Sequence, residues 1–301
     1  MRAFTSLPLD DDLVDRVLTF SPNFCTLYAI ILVCKSIHSV FSARPASITR
    51  AVAYNICGPA LPDAVRAVRA SCSGVDVPLL TDADLQEILA ALSAEEKHKL
   101  ESNAYTVQRF EDIFGLWYKD RMSRTSTLLP REAHRFHRAL HRIILYSEKF
   151  SPSYYWMDRV PADEEELLES VQITRKEFIS AYSTEELLEM QAAVAFLTQV
   201  LVGVFGDACG TQIQWALSAG PASILEAFVT RSSAPIQRHF DVDLDQGDDD
   251  FMEYDEYFTN AFSLSPWGVI LDDTPGENEI CVHCRRLGGI AIWNENGTFL
   301  R

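Results

Sequence analysis

The 301 residues carry 48% hydrophobic and 23% charged side chains, enough apolar content to bury a real core in one large or two modest domains. The net charge is −17, and its distribution is uneven: thirteen acids and no Lys or Arg fall between Phe240 and Cys284, leaving 30 acids against 26 bases elsewhere. That balance excludes sequence-independent nucleic-acid binding, which needs many Lys and Arg to displace counterions.

In chain order, the opening "MRAFTSLPLDDD" has no apolar core segment and meets acids at once, so a signal peptide is not expected. The first helix is predicted around Leu13, Val14, Val17 and Leu18, with Asp10 to Asp12 at an N-terminus that favours carboxylates, and Pro22 ends it. A second helix starts near Phe24 and a third ends before Ala43. The run Leu27 to Cys34 is almost continuously apolar, which predicts a helix covered on both sides, one of them by a partner. "PASITRAVAYNICGPALPDAVRAVRAS" reads as two short helices broken at Gly58-Pro59. Thr81 with Asp84 three residues on predicts a capping box ahead of Leu85, Ile88, Leu89 and Leu92.

A long helix is expected from Ala94 to about Lys119 and another from Arg131 to Tyr146. "ADEEELLESVQ" and "STEELLEMQAAVAFLTQVLVGVF" follow, the second capped by Ser183. Its apolar part, residues 190–206, is interrupted by Gln191, Thr198 and Gln199 and is expected to be a core helix, not a membrane span. "GPASILEAFVTR" adds a helix with Pro221 near its start. Strand signal is confined to "WGVIL" and "ICVHCRRLGGIAIW", where Gly288-Gly289 can turn a hairpin. The fold class expected is mostly α, with three short helices at the N-terminus fused to a helical body and a small C-terminal β-hairpin.

Residues 7 to 41 resemble an F-box on Leu7-Pro8, Leu13-Val14, Val17-Leu18, Phe20, Pro22, Phe24, Leu27, the run Leu32-Val33-Cys34-Lys35, and Val40-Phe41. Residues 43–69, "REAHRFHRALHRIIL" and "IWNENGTFL" are similar to the continuation seen in fungal F-box-like proteins. The resemblance implies an F-box module at 1–45 and a substrate-recognition or interaction domain at 46–301, the latter including an acidic segment at 240–260. It further implies a substrate receptor of a cullin–RING ubiquitin ligase, docking on a Skp-type adaptor and the cullin scaffold and recruiting an unknown protein substrate. The adaptor contacts carried over are Leu7, Pro8, Leu13, Val17, Leu18, Leu27, Leu32, Val33 and Phe41. Against the commonest pattern, Ser21 stands where the family usually has leucine, Ile37 where it has an aromatic, and the gap before Val17-Leu18 is longer. An intracellular place, cytoplasm or nucleus, is expected, with no catalysis, no cofactor, no nucleic acid and no membrane partner. An F-box-like protein acting outside the ligase is the alternative.

Three further constellations carry chemistry in principle. Cys281-Val282-His283-Cys284 holds a C-x-x-C without a second pair at finger-like spacing, so a metal- or thiol-dependent enzyme using Cys281 and Cys284 stays a second alternative. "DVDLDQGDDDFME" fails the register of a calcium loop, because its glycine is seventh and not sixth; a solvated acidic loop is expected. His134, His137 and His141 share a helix face beside Arg131, Arg135, Arg138 and Arg142. That helix is expected to lie on the surface with Phe136, Leu140 and Ile144 inward, its basic stripe meeting the acidic 241–256 loop or an acidic partner. The seven cysteines are an odd number in mostly apolar surroundings, which favours reduced thiols.

Overall fold

The computed structural model describes residues 10–73, 80–119, 127–150, 165–205, 213, 216–240 and 267–272. Those residues are mostly helical and, among them, no strand occurs. The expected C-terminal hairpin, the Cys281–Cys284 pair and the acidic 241–256 segment lie outside the described residues. Contacts divide the chain into two compact units, residues 1–105 with 144–149, and residues 106–143 with 150–301.

The first unit contains α1 (Asp11–Thr19), α2 (Phe24–Ile31), α3 (Lys35–Ala43), α4 (Pro45–Cys57), α5 (Leu61–Ser73), α6 (Asp82–Ala90) and the beginning of α7 (Ala94–Tyr118). α4 is its centre and touches α1, α2, α3, α5 and α6. The reason is in its sequence: Ile48, Val52 and Cys57 line the buried side, with Pro45 preset for the first turn. At its end Gly58 takes φ 57°, ψ −146°, a conformation that side chains disfavour, and a short 3-10 turn leads to α5. One core runs through the unit, shared by Leu18, Phe24, Leu27, Ile48, Val65 and Leu89, so α1–α3 and α4–α6 pack as one body.

Local caps explain where these helices start. Asn23 accepts the Thr26 amide at 2.7 Å to open α2. Thr81 and Asp84 form the reciprocal capping box expected of them, and Ser93 with Glu96 does the same for α7. Glu96 also pairs with Arg69 of α5 at 3.1 Å.

The second unit holds the rest of α7, most of α8 (Pro130–Lys149), α9 (Glu165–Ser180), α10 (Thr184–Phe205), α11 (Gly220–Thr230), α12 (Ala234–Phe240) and a helical turn α13 (Trp267–Ile270). Aromatic rings fill its core. Phe114 stacks on Phe136 at 4.7 Å and meets Phe196 edge-on at 5.3 Å, and Phe110 meets Phe196 edge-on at 5.7 Å. α10 is long and apolar enough to cross a membrane by composition, yet Met190, Ala193, Phe196, Leu197, Val200 and Leu201 are buried inside the protein, as expected of a core helix.

Two expectations are corrected here. "WGVIL" reads as a strand, but Trp267–Ile270 forms a helical turn against α10. Its last carbonyl, on Ile270, accepts from Arg135 and so satisfies a group that a helix end leaves open. The basic helix α8 has Phe136, Leu140 and Ile144 inward as expected, but its polar side does not all lie on the surface: Glu132, His141 and Arg142 are buried as well.

Candidate docking surface

The N-terminal helices divide their apolar residues between core and solvent. Val14 and Leu18 face inward from α1, while Leu13 and Val17, on the other side of the same helix, are about half exposed at 49% and 51%. Phe20 follows one turn after Val17 and Arg16 and is 79% exposed. In α2, Leu27 and Ile31 are buried. The helix stops at Ile31 without glycine or proline: the Leu32 amide still reaches the Tyr28 carbonyl, Val33 bonds Ile30 in a tighter turn, and Cys34 turns extended to open α3. The corner so formed thrusts two consecutive large apolar side chains into solvent, Leu32 at 82% and Val33 at 66% exposure. Scattered exposed leucines are ordinary; a pair side by side on one corner is less so and makes that corner the candidate docking surface.

Of the nine residues that the F-box resemblance points to, four are therefore on the surface: Leu13, Val17, Leu32 and Val33. Leu18 and Leu27 lie in the core, where they hold the helices together and offer no surface. Phe41 is half-buried against the same core. Leu7 and Pro8 lie outside the described residues. Ile37 and Ser21, the two departures from the pattern, are both buried; the Ser21 carbonyl accepts a hydrogen bond from Asn55 at 3.0 Å. Sequence reasoning passed over Phe20 and Tyr54 as surface features, and the signal for Phe20 was its place one turn beyond Val17 on the outer side of α1.

Among the described residues, the second unit offers another concentration of the titratable groups singled out in the sequence. Arg138 grips Glu189 with two 2.6 Å hydrogen bonds, and Glu189 is fully buried. Arg142 bonds Glu186 at 2.6 Å and lies over the Tyr182 ring at 4.7 Å. Glu132, also fully buried, accepts from Lys119 at 2.6 Å, from the Leu129 amide at 2.7 Å and from the Asp272 amide at 2.9 Å. Arg135 reaches Asp272 at 2.6 Å, and His137 meets Glu111 at 2.6 Å. Three arginines of the stripe, Arg135, Arg138 and Arg142, are thus neutralised by acids of α10 and by Asp272.

Electrostatics of this layer follow from burial and pairing. Loss of hydration pushes the His141 imidazolium down to about 3, with the nearby His137 adding to the effect, so His141 is neutral. Burial raises the Glu186 carboxyl, but the Ser183 amide and Arg142 outweigh it and hold the group below the usual range. Burial also raises the thiols of Cys57 and Cys72, the latter with help from Glu95 and Glu96, which leaves both poor nucleophiles. Among the described residues no three metal-ligating side chains converge. Each acid of the layer is already engaged by a cation or amide, so the arrangement suits cross-bracing of α8, α10 and residues 270–272 better than chemistry on a substrate.

Comparison with protein-family models, with curated proteins and with solved structures returns no match.

Proposed function

We propose that the N-terminal helices are an F-box-like plug for a Skp-type adaptor, and that the remaining helices recruit a protein substrate to a cullin–RING ubiquitin ligase. The observation that carries this reading is the Leu32-Val33 corner, backed by Leu13 and Val17 on α1. Covering a large aliphatic side chain stabilises an interface by about 1.5–3 kcal/mol, so a few such anchors amount to useful affinity. Leu7-Pro8 completes the set by resemblance. The ligase role belongs to the resemblance, since the geometry speaks only for a docking surface. Action in the cytoplasm or nucleus follows from the same reading.

Co-purification of the full chain with a fungal Skp adaptor tests it. A stable complex is expected for the wild type and is expected to be lost in Leu32→Asp and in Leu7→Ala/Pro8→Ala. A folded wild type that captures no adaptor refutes the docking. A complex that forms with adaptor but takes up no cullin favours the role outside the ligase.

A further inference from the structure

A second feature of the first unit is separate from the Leu32-Val33 corner. An open groove of about 440 Å³ runs between the end of α1 and the outer side of α4. Phe20 and Tyr54 line it, with Ala51 and Arg50 between them on α4. Both aromatics are largely exposed, Tyr54 at 54%. Arg50 precedes Tyr54 by four residues on α4 and lines the groove with it. Residues so spaced are surface neighbours on a helix, so Tyr54 carries the Arg50 guanidinium beside it. In a chain with 43 acids against 26 bases, Arg50 has no acidic partner among the described residues, and Asp15 of the neighbouring α1 pairs instead with Arg44.

The groove is also rigid at the point where a ligand would press. Asn55 follows Tyr54 directly, and its amide donates to the carbonyls of Thr19 at 2.8 Å and Ser21 at 3.0 Å, on either side of Phe20. The Phe20 amide bonds Arg16. The exposed phenyl ring therefore stands on backbone tied to α4 from both flanks, and ordering it costs little on binding. The same two bonds occupy carbonyls at the negative end of α1, which would otherwise repel an anion.

We infer that this groove binds an acidic peptide segment of a partner protein, an apolar side chain entering between Phe20 and Tyr54 while a neighbouring Asp or Glu carboxylate meets Arg50. The groove is open to solvent, which suits a peptide segment lying across it better than an enclosed small molecule. The interaction needs no adaptor and is independent of the ligase reading.

The test uses an array of short peptides in which a fixed Leu, Phe or Trp is flanked by Asp/Glu, by Asn/Gln or by Lys/Arg, probed with the full chain. Acidic members are expected to bind. Phe20→Ser is expected to weaken them about tenfold or more, and Arg50→Glu to turn the preference toward basic members. Leu32→Asp leaves peptide binding unchanged while abolishing adaptor capture, which separates the two sites. Both groove residues are exposed, and unchanged unfolding midpoints check that the variants fold. Binding indifferent to peptide charge, binding that survives Phe20→Ser, or an array with no bound member overturns the inference.

Discussion

The Glu101 carboxylate, on α7, accepts the amides of Phe24 at 2.5 Å and Cys25 at 3.3 Å, closing the N-terminus of α2 from 77 positions away in sequence. It complements Asn23, which takes the Thr26 amide of the same turn. Two of the open amides of α2 are thus satisfied by a side chain outside its own helix. Replacing Glu101 by Ala is expected to destabilise the first unit by about 1–2 kcal/mol, and by Gln less, because the amide oxygen still accepts. Urea unfolding of the two variants against wild type reads this directly.

Leu27 and Leu32 stand five residues apart and predict opposite results. Leu27 is 1% exposed and Leu32 is 82% exposed. Leu27→Ala is expected to cost about 2–5 kcal/mol through the cavity it leaves. Leu32→Ser is expected to change stability by less than about 0.5 kcal/mol, so any loss of partner binding in that variant reports on the interface. Paired denaturation and binding measurements separate the two leucines.

Arg138 and Glu189 form a bidentate pair whose acid is fully buried. Removing the arginine leaves the Glu189 carboxylate buried without its counter-charge, so Arg138→Ala is expected to cost about 3–5 kcal/mol. The double change Arg138→Met/Glu189→Leu is expected to recover much of that loss, because apolar residues of similar volume need no desolvation repayment. A double-mutant cycle by chemical denaturation measures the coupling.

His141 makes the second unit acid-sensitive. Its ordinary value is 6.5, and burial holds it at about 3 in the folded protein. The unfolded chain therefore binds the proton more readily between those values. The contribution is fully present above about pH 6.5 and is lost as pH falls toward 3, at about 1.4 kcal/mol per pH unit. His141→Gln is expected to show a shallower loss between pH 6.5 and 5, by about 2 kcal/mol, than wild type. Glu186 titrates in the same direction, so this difference between profiles isolates His141.

Gly58, at φ 57°, ψ −146°, ends α4 in a region nearly closed to other residues. There is space for a methyl group, since no atom lies within 4 Å of an added Cβ, so strain alone is tested. Gly58→Ala is expected to lower stability by about 1–3 kcal/mol, read as a drop in Tm.

What the sequence made legible was local. The caps at Thr81/Asp84 and Ser183/Glu186 need only residues three apart, and both boxes form. The α4–α5 break at Gly58 was equally plain. The helical character of α8 was legible from its period, and so were its inward Phe136 and Leu140. What faced its arginines was not, because Glu186, Glu189 and Asp272 come from elsewhere in the chain. The corner at Leu32-Val33 was hidden inside a continuous apolar run, since nothing in that run marks where α2 stops. Trp267–Ile270 carries strand-like residues but too few of them for pattern to outvote the Arg135 bond that holds its end.

Asn55 has a kinetic consequence. Helix ends ordinarily fray, and their amides exchange with solvent fastest. Here the carbonyl of Thr19, the last residue of α1, and that of Ser21 just beyond it are held by a side chain of the central helix α4, so α1 cannot unwind from its C-terminal end without first breaking bonds to α4. The amides of Leu18 and Phe20 should then show protection like that of Val52, and Asn55→Ala should release α1 amides to fast exchange while those of α4 remain protected. The first helix opens with the core of its unit and not ahead of it.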